Sequence, residues 1–180
     1  MTKKVLIIGT SPRKNGNSNR LAQEFARGAK DAGHEVELIY LCEKTINYCK
    51  GCFACLKLGK CIIDDDANSI NEKIKDSEVI VWATPVYYYE MCGQMKTMID
   101  RSNPLYGKEN EFTDIYLLAT AADSGEYSMD GAIKGLQGWI DCHSQTQLKG
   151  VVKGLGVDSI GSIEGNHALI EAYEMGKSIK

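Results

Sequence analysis

Val5-Leu6-Ile7-Ile8-Gly9-Thr10-Ser11-Pro12-Arg13-Lys14-Asn15-Gly16-Asn17-Ser18 is the stretch that decides the fold. Its first residues form a continuous apolar run, as in a central parallel strand covered on both faces. A polar loop follows, Thr10 to Asn17, carrying hydroxyls, amides, an arginine and a glycine. Then Leu21, Ala22, Phe25, Ala26 and Ala29 recur at helical spacing, and Gly33 stands where that helix would end.

Outward from this unit the alternation continues. Glu35–Tyr40 reads as a second strand leading into a cysteine-rich loop at 48–61, and Ala67, Ile70 and Ile74 mark a helix. Val79–Ala83 is the third strand, expected to stop at Thr84-Pro85 because proline ends strand pairing. Met95, Met98 and Ile99 share one side of the next helix, and Ile115–Ala119 is a fourth strand. A helix over Met129–Asp141, a weaker strand at Leu148–Gly154 and a closing helix over His167–Ile179 complete the order. Such alternation implies one α/β domain over 1–180: a five-stranded parallel sheet with helices on both faces.

Composition removes several functions. The formal charge of -3 on 180 residues gives no electrostatic case for nucleic acid. No apolar stretch approaches the roughly 20 residues of a membrane span. No apolar signal segment precedes Lys3-Lys4-Val5, so a reducing, cytoplasmic setting is expected. Asp64-Asp65-Asp66 reads as a solvated helix start.

Cys49, Cys52, Cys55 and Cys61 follow the spacing C-x2-C-x2-C-x5-C. Two short gaps turn three sulfurs toward a common centre, and Gly59 can act as a hinge that brings in the fourth. This suits an iron–sulfur cluster, whose irons each need a thiolate, though it differs from the bacterial ferredoxin run. Zinc, a redox disulfide and metal-free thiols remain open on spacing alone. The other thiols, Cys42, Cys92 and Cys142, read as buried packing groups, with Cys92 close to the aromatic segment described next.

In a sheet of this kind ligands bind beyond the carboxyl ends of the strands. Ser11, Arg13, Asn17, Ser18 and Asn19 there precede or open a helix whose free N–H groups favour an anion, and their side chains can hold a phosphate. Ser18 or Asn17 acting only as a helix cap is the simpler alternative. Neither G-x-G-x-x-G nor G-x-x-x-x-G-K-[ST] occurs, which disfavours dinucleotide and nucleoside triphosphate sites. Pro85, Val86, Tyr87 and Tyr88 put flat side chains at a strand end, suited to a planar ring. Ala121, Ala122, Asp123 and Ser124 form a small-residue loop that can approach a ring edge.

With these residues in place, the chain resembles the NAD(P)H-dependent FMN reductases of flavodoxin-like fold, and within them the iron–sulfur flavoproteins. The matching residues are Gly9-Thr10-Ser11-Pro12-Arg13 with Asn17-Ser18, the four-cysteine motif, Asp64-Asp65, Thr84-Pro85-Val86-Tyr87-Tyr88, Gly93 with Lys96, and Asp100-Arg101. Order and intervals agree from Lys4 to Arg101; the last third agrees only in element order. The resemblance implies FMN, its phosphate on Ser11 to Asn19 and its ring between the Pro85–Tyr88 and Ala121–Ser124 loops. It implies a [4Fe-4S] cluster on Cys49, Cys52, Cys55 and Cys61, and a homodimer or homotetramer with the cysteine loop near a flavin of the same or a neighbouring subunit. Electrons would pass from NAD(P)H, or from reduced ferredoxin, to a small acceptor such as a quinone, free flavin, nitro or azo compound. A flavodoxin-like carrier without turnover is the competing expectation. No side chain stands out as a general acid or base. Asp100-Arg101 reads as an interface or helix-end ion pair, and His34, His143 and His167 as surface or capping groups.

Overall fold

The apolar runs pair as five parallel strands, β1 (Lys4–Gly9), β2 (Glu35–Tyr40), β3 (Val79–Tyr87), β5 (Asp114–Thr120) and β6 (Gln147–Gly154). A short sixth strand, β4 (Glu90–Met91), pairs antiparallel with the end of β3. The computed structural model describes residues 1–180. The sheet order is β2-β1-β3-β5-β6. Counting parallel strands alone, this is the 2-1-3-4-5 order of flavodoxin-like folds.

Of six helices, α1 (Asn17–Asp31), α3 (Asp66–Lys75), α4 (Gly93–Arg101), α5 (Asp130–Ile140) and α6 (Ala168–Lys177) cover the sheet, and the short α2 (Ala54–Leu58) lies within the cysteine loop. Alternate side chains of the central strands feed two cores. Ile7, Val81 and Leu118 pack with Leu21 and Phe25 of α1 and with α6. Ile8, Trp82 and Leu117 pack on the other face with Ile70, Met95, Met98 and Leu136. Each such fully buried aliphatic side chain contributes roughly 1.5–3 kcal/mol, which is why β1, β3 and β5 read as unbroken apolar runs.

Three expectations change. β3 does not stop at Thr84-Pro85 but runs to Tyr87, with Pro85 opposite Thr120 of β5. The carbonyl of Ala83 accepts from Thr10 N–H at 2.8 Å; by the two-residue alternation, Pro85's missing N–H faces that same edge, where β1 has already ended. The acidic run is not solvated throughout. Asp65 caps α3 by accepting from Ala67 N–H, and its side chain is 2% exposed. Nor do Asp100 and Arg101 pair: Asp100 takes Lys96, and the buried Arg101 reaches Asp65 at 2.7 Å. No helix is long and apolar enough to cross a membrane.

Candidate functional site

Three loops leave the carboxyl ends of β1, β3 and β5, neighbours in the sheet, and hydrogen bonds join them. Thr10 Oγ1 donates to the Ala83 carbonyl at 2.9 Å and lies 3.2 Å from Cys92 Sγ. Cys92 N–H donates to Thr84 Oγ1 at 3.1 Å. These contacts fix the first loop on the second.

At the first loop, α1 opens without a side-chain cap: its N-cap is Gly16, so neither Asn17 nor Ser18 serves in that role. The backbone N–H groups of Asn17, Ser18 and Asn19 donate to no acceptor in the chain. Ser18 Oγ is buried beside them and also has no partner. Ser11 Oγ accepts from Arg13 N–H at 3.1 Å. A Cβ at position 16 would lie 2.4 Å from Ser11 Oγ, so only glycine leaves that cradle open. The Asn17 and Asn19 amides are already engaged. Asn17 Nδ2 donates to the Ser159 carbonyl and Ser162 Oγ, and Asn19 Nδ2 to the carbonyls of Arg13 and Lys14. They shape the loop and leave the unpaired backbone amides beside the buried Ser11 and Ser18, with Arg13 exposed. Free donors at a helix N-terminus suit an anion such as a phosphate.

The second loop is a hairpin turning at Tyr88 and Tyr89, both left-handed with φ of 51 and 62 degrees. Such a two-residue turn favours Asn-Gly, and tyrosines there are strained. Two contacts hold it. Tyr89's carbonyl sits against Gly131 of α5, where a Cβ would come within 2.2 Å. Its hydroxyl donates to Asp123 Oδ2 at 3.2 Å. Tyr127 donates to the same oxygen at 2.8 Å and stacks on Tyr89 with ring centroids 5.9 Å apart. Asp123 thereby locks the third loop to the hairpin. Its carboxyl is held below the usual range, first by the Gly125 N–H and then by Tyr127; the same bond pushes the Tyr127 phenol up to about 12. Pro85 and Val86 are half-buried, Tyr87 and Tyr88 exposed, and Ala122 and Ser124 lie on the outside of the third loop. Ala121 is buried, and Asp123 is the predicted third-loop residue hydrogen-bonded to the hairpin, at Tyr89.

The cysteine loop lies elsewhere. Cys49, Cys52, Cys55 and Cys61 all line one cavity of about 430 Å³, closed by the ends of α4 and α5 through Ile99, Asn103, Trp139 and Cys142. Gly59 has φ of 71 degrees, the bend expected before Cys61. Arg101 fastens both flanks of the loop. Its guanidinium donates to the Asn47 and Ile63 carbonyls and, bidentately, to Asp65 at 2.7 and 2.8 Å. Burial pushes the Asp65 pKa up, but bonds from Arg101, Asn47 and Ala67 outweigh it and hold the carboxyl well below its ordinary value. Asn68 brackets Cys61, accepting from its N–H at 3.1 Å and donating to its carbonyl at 3.2 Å. No three Cys, His, Asp or Glu side chains gather closely enough to hold a metal ion. Four thiols around a shared cavity nevertheless have the donor chemistry of a polynuclear iron–sulfur group, which spreads one thiolate to each iron.

Sequence reading missed several cavity residues. Cys142 is exposed rather than packed, as is Cys42; Cys92 is buried as expected. His143 is not a surface group: it packs edge-on to Phe112 and Trp139, and burial pushes its pKa down. Arg101 had a signal, since Met95, Met98 and Arg101 recur at steps of three on the buried side of α4. Asn68 and Asn103 had none.

Over 105 residues the chain is 41% identical to an iron-sulfur flavoprotein of Archaeoglobus fulgidus, covering 58% of this chain and 47% of that one. It thus spans about half the length of that relative. An iron-sulfur flavoprotein of Methanosarcina thermophila is 28% identical over 141 residues, 78% of this chain and 74% of that one. Among solved structures, an NAD(P)H:quinone oxidoreductase from Methanothermobacter marburgensis superposes with a TM-score of 0.73 over 100% of both chains. At 17% identity that likeness speaks to the fold alone. The family model described as NADPH-dependent FMN reductase matches residues 3–154, and the chain belongs to that family.

Proposed function

We propose that the chain is an FMN-dependent oxidoreductase that takes electrons from NAD(P)H or a reduced ferredoxin and passes them to a small acceptor, such as a quinone, flavin, nitro or azo compound. The observation that carries this reading is the β1–α1 loop: unpaired Asn17, Ser18 and Asn19 N–H groups, the buried unpartnered Ser18 hydroxyl and the Gly16 cradle. Those groups, with Ser11 and Arg13, hold the FMN phosphate. The hairpin from Pro85 to Tyr88 and the Ala121–Ser124 loop, locked by Asp123, flank the ring. Bound FMN supplies two-electron exchange with a nicotinamide and release in one- or two-electron steps. The chain's own part is to seat the phosphate, fix the two loops and leave an open edge for donor and acceptor.

Cys49, Cys52, Cys55 and Cys61 hold a [4Fe-4S] cluster, which supplies one-electron transfer. The names of the similar flavoproteins support this assignment. The hairpin precedes α4, whereas the cysteine cavity takes Ile99, Asp100 and Asn103 from its far end. Nine helical residues span about 13 Å. That spacing favours a homo-oligomer in which the cysteine loop serves a neighbouring subunit's flavin.

Ser11→Ala with Ser18→Ala tests the phosphate site. FMN retained per chain should fall at least about tenfold, the loss of roughly 1.4 kcal/mol of charge-assisted bonding; undiminished flavin would sink it. Anaerobic NADH or NADPH oxidation with a quinone separates an enzyme from an electron carrier, which would show no turnover with either nicotinamide.

A further inference from the structure

Cys55 differs from the other three motif cysteines. It is the buried one, and the side chain of Asn103 donates to it: Asn103 Nδ2 lies 3.1 Å from Cys55 Sγ. Asn103 opens a short turn of 3-10 helix, Asn103–Leu105, directly after α4, and Pro104 stiffens its second position. The two residues before that turn anchor it. Arg101 grips the flanks of the cysteine loop, Asn71 Nδ2 donates to the Arg101 carbonyl at 2.8 Å, and Ser102 Oγ accepts from Trp139 Nε1 at 2.9 Å. The Asn103 carboxamide is therefore delivered to the sulfur by a rigid segment, not by a mobile surface side chain.

Resting on the iron–sulfur reading above, we infer that Asn103 is a positioning residue of the cysteine centre, which holds Cys55 Sγ in place and raises the centre's reduction potential through its N–H···S bond. The partial positive charge of an amide hydrogen stabilises a sulfur more as electron density on it increases. The reduced centre, carrying one more electron, gains more from that bond than the oxidised centre, so the bond raises the potential. Cys49 takes only the Gly51 N–H, at 3.4 Å, and Cys61 lies against the Arg101 guanidinium, so Cys55 alone is met by a neutral side-chain amide.

The test compares full-length wild type with Asn103→Leu, which keeps the bulk and removes the donor, and Asn103→Gln, which keeps a donor. Iron and acid-labile sulfide are counted per chain, and the midpoint potential is then measured by anaerobic titration with electron paramagnetic resonance detection. The expected result is equal iron in all three, with the N103L midpoint lower by about 59 mV, a tenfold shift for one electron, and N103Q close to wild type. Equal iron with equal midpoints overturns the inference. Iron lost from N103L but kept by N103Q supports it, while loss from both variants overturns it. If wild type itself carries no iron, the cluster reading fails separately, and alkylation of the metal-free protein then decides the Asn103 contact. Without the amide to stabilise its thiolate, the form that reacts, Cys55 in N103L should be alkylated about threefold more slowly relative to Cys49, the loss of one hydrogen bond partly offset by greater nucleophilicity; an unchanged ratio overturns the contact as well.

Discussion

Arg101 is the residue on which the cysteine loop depends. Its guanidinium is fully buried and bridges Asn47, Ile63 and Asp65. Arg101→Met leaves the Asp65 charge buried and unpaired, and should cost about 3–5 kcal/mol in urea unfolding. Adding Asp65→Leu should recover only part of that loss, because it removes the buried charge but also the α3 cap and the acceptor of the Asn47 N–H. The pH dependence has a definite sign. Asp65 has its folded pKa below the unfolded value, so its contribution is present above about pH 4 and fades as the pH falls below that. Wild type should therefore lose stability on acidification more steeply than the double variant. At the other end of the molecule, Asp123→Asn should bring the Tyr127 phenol, now near 12, back toward about 10. Difference titrations against Tyr127→Phe at 295 nm would show this.

The hairpin between β3 and β4 is strained by two tyrosines in left-handed conformation. Tyr88→Asn should raise stability by about 1 kcal/mol, seen as a higher Tm, because asparagine tolerates this conformation and the exposed Tyr88 ring gives up no packing. Gly131→Ala should do the opposite. Its Cβ would collide with the Tyr89 carbonyl, displace the hairpin and cost about 1–3 kcal/mol, with weaker FMN retention as the second readout. These elements also mark where sequence reading succeeds and stops. The parallel strands were legible because burial on both faces demands unbroken apolar runs such as Val5–Ile8 and Val79–Ala83. β4 has only two residues and no pattern of its own, and it exists because Tyr88 and Tyr89 fold back. α2 was equally invisible, being five residues within the cysteine loop.

Across the whole molecule, the donor-rich β1–α1 loop was legible, since a run of donors before a helix needs no tertiary partner to be recognised. What could not be read was which donors are left over. Asn19 is spent locally on Arg13 and Lys14, and Asn17 on Ser159 and Ser162 of a loop some 140 residues away, while Ser18 remains unpartnered. Asn103 and Asp65 were hidden for the same reason, each being 36 or more positions from the group it serves. The separation of hairpin and cysteine cavity along α4 has a kinetic consequence. An electron path inside one chain must cover the length of that helix, whereas a path across a subunit boundary has no such minimum. If the path crosses subunits, transfer to a one-electron acceptor becomes second order in protein once dilution splits the oligomer. Specific activity with such an acceptor should then fall at low protein concentration while two-electron quinone reduction holds steady; parallel behaviour of both would locate the path within a single chain.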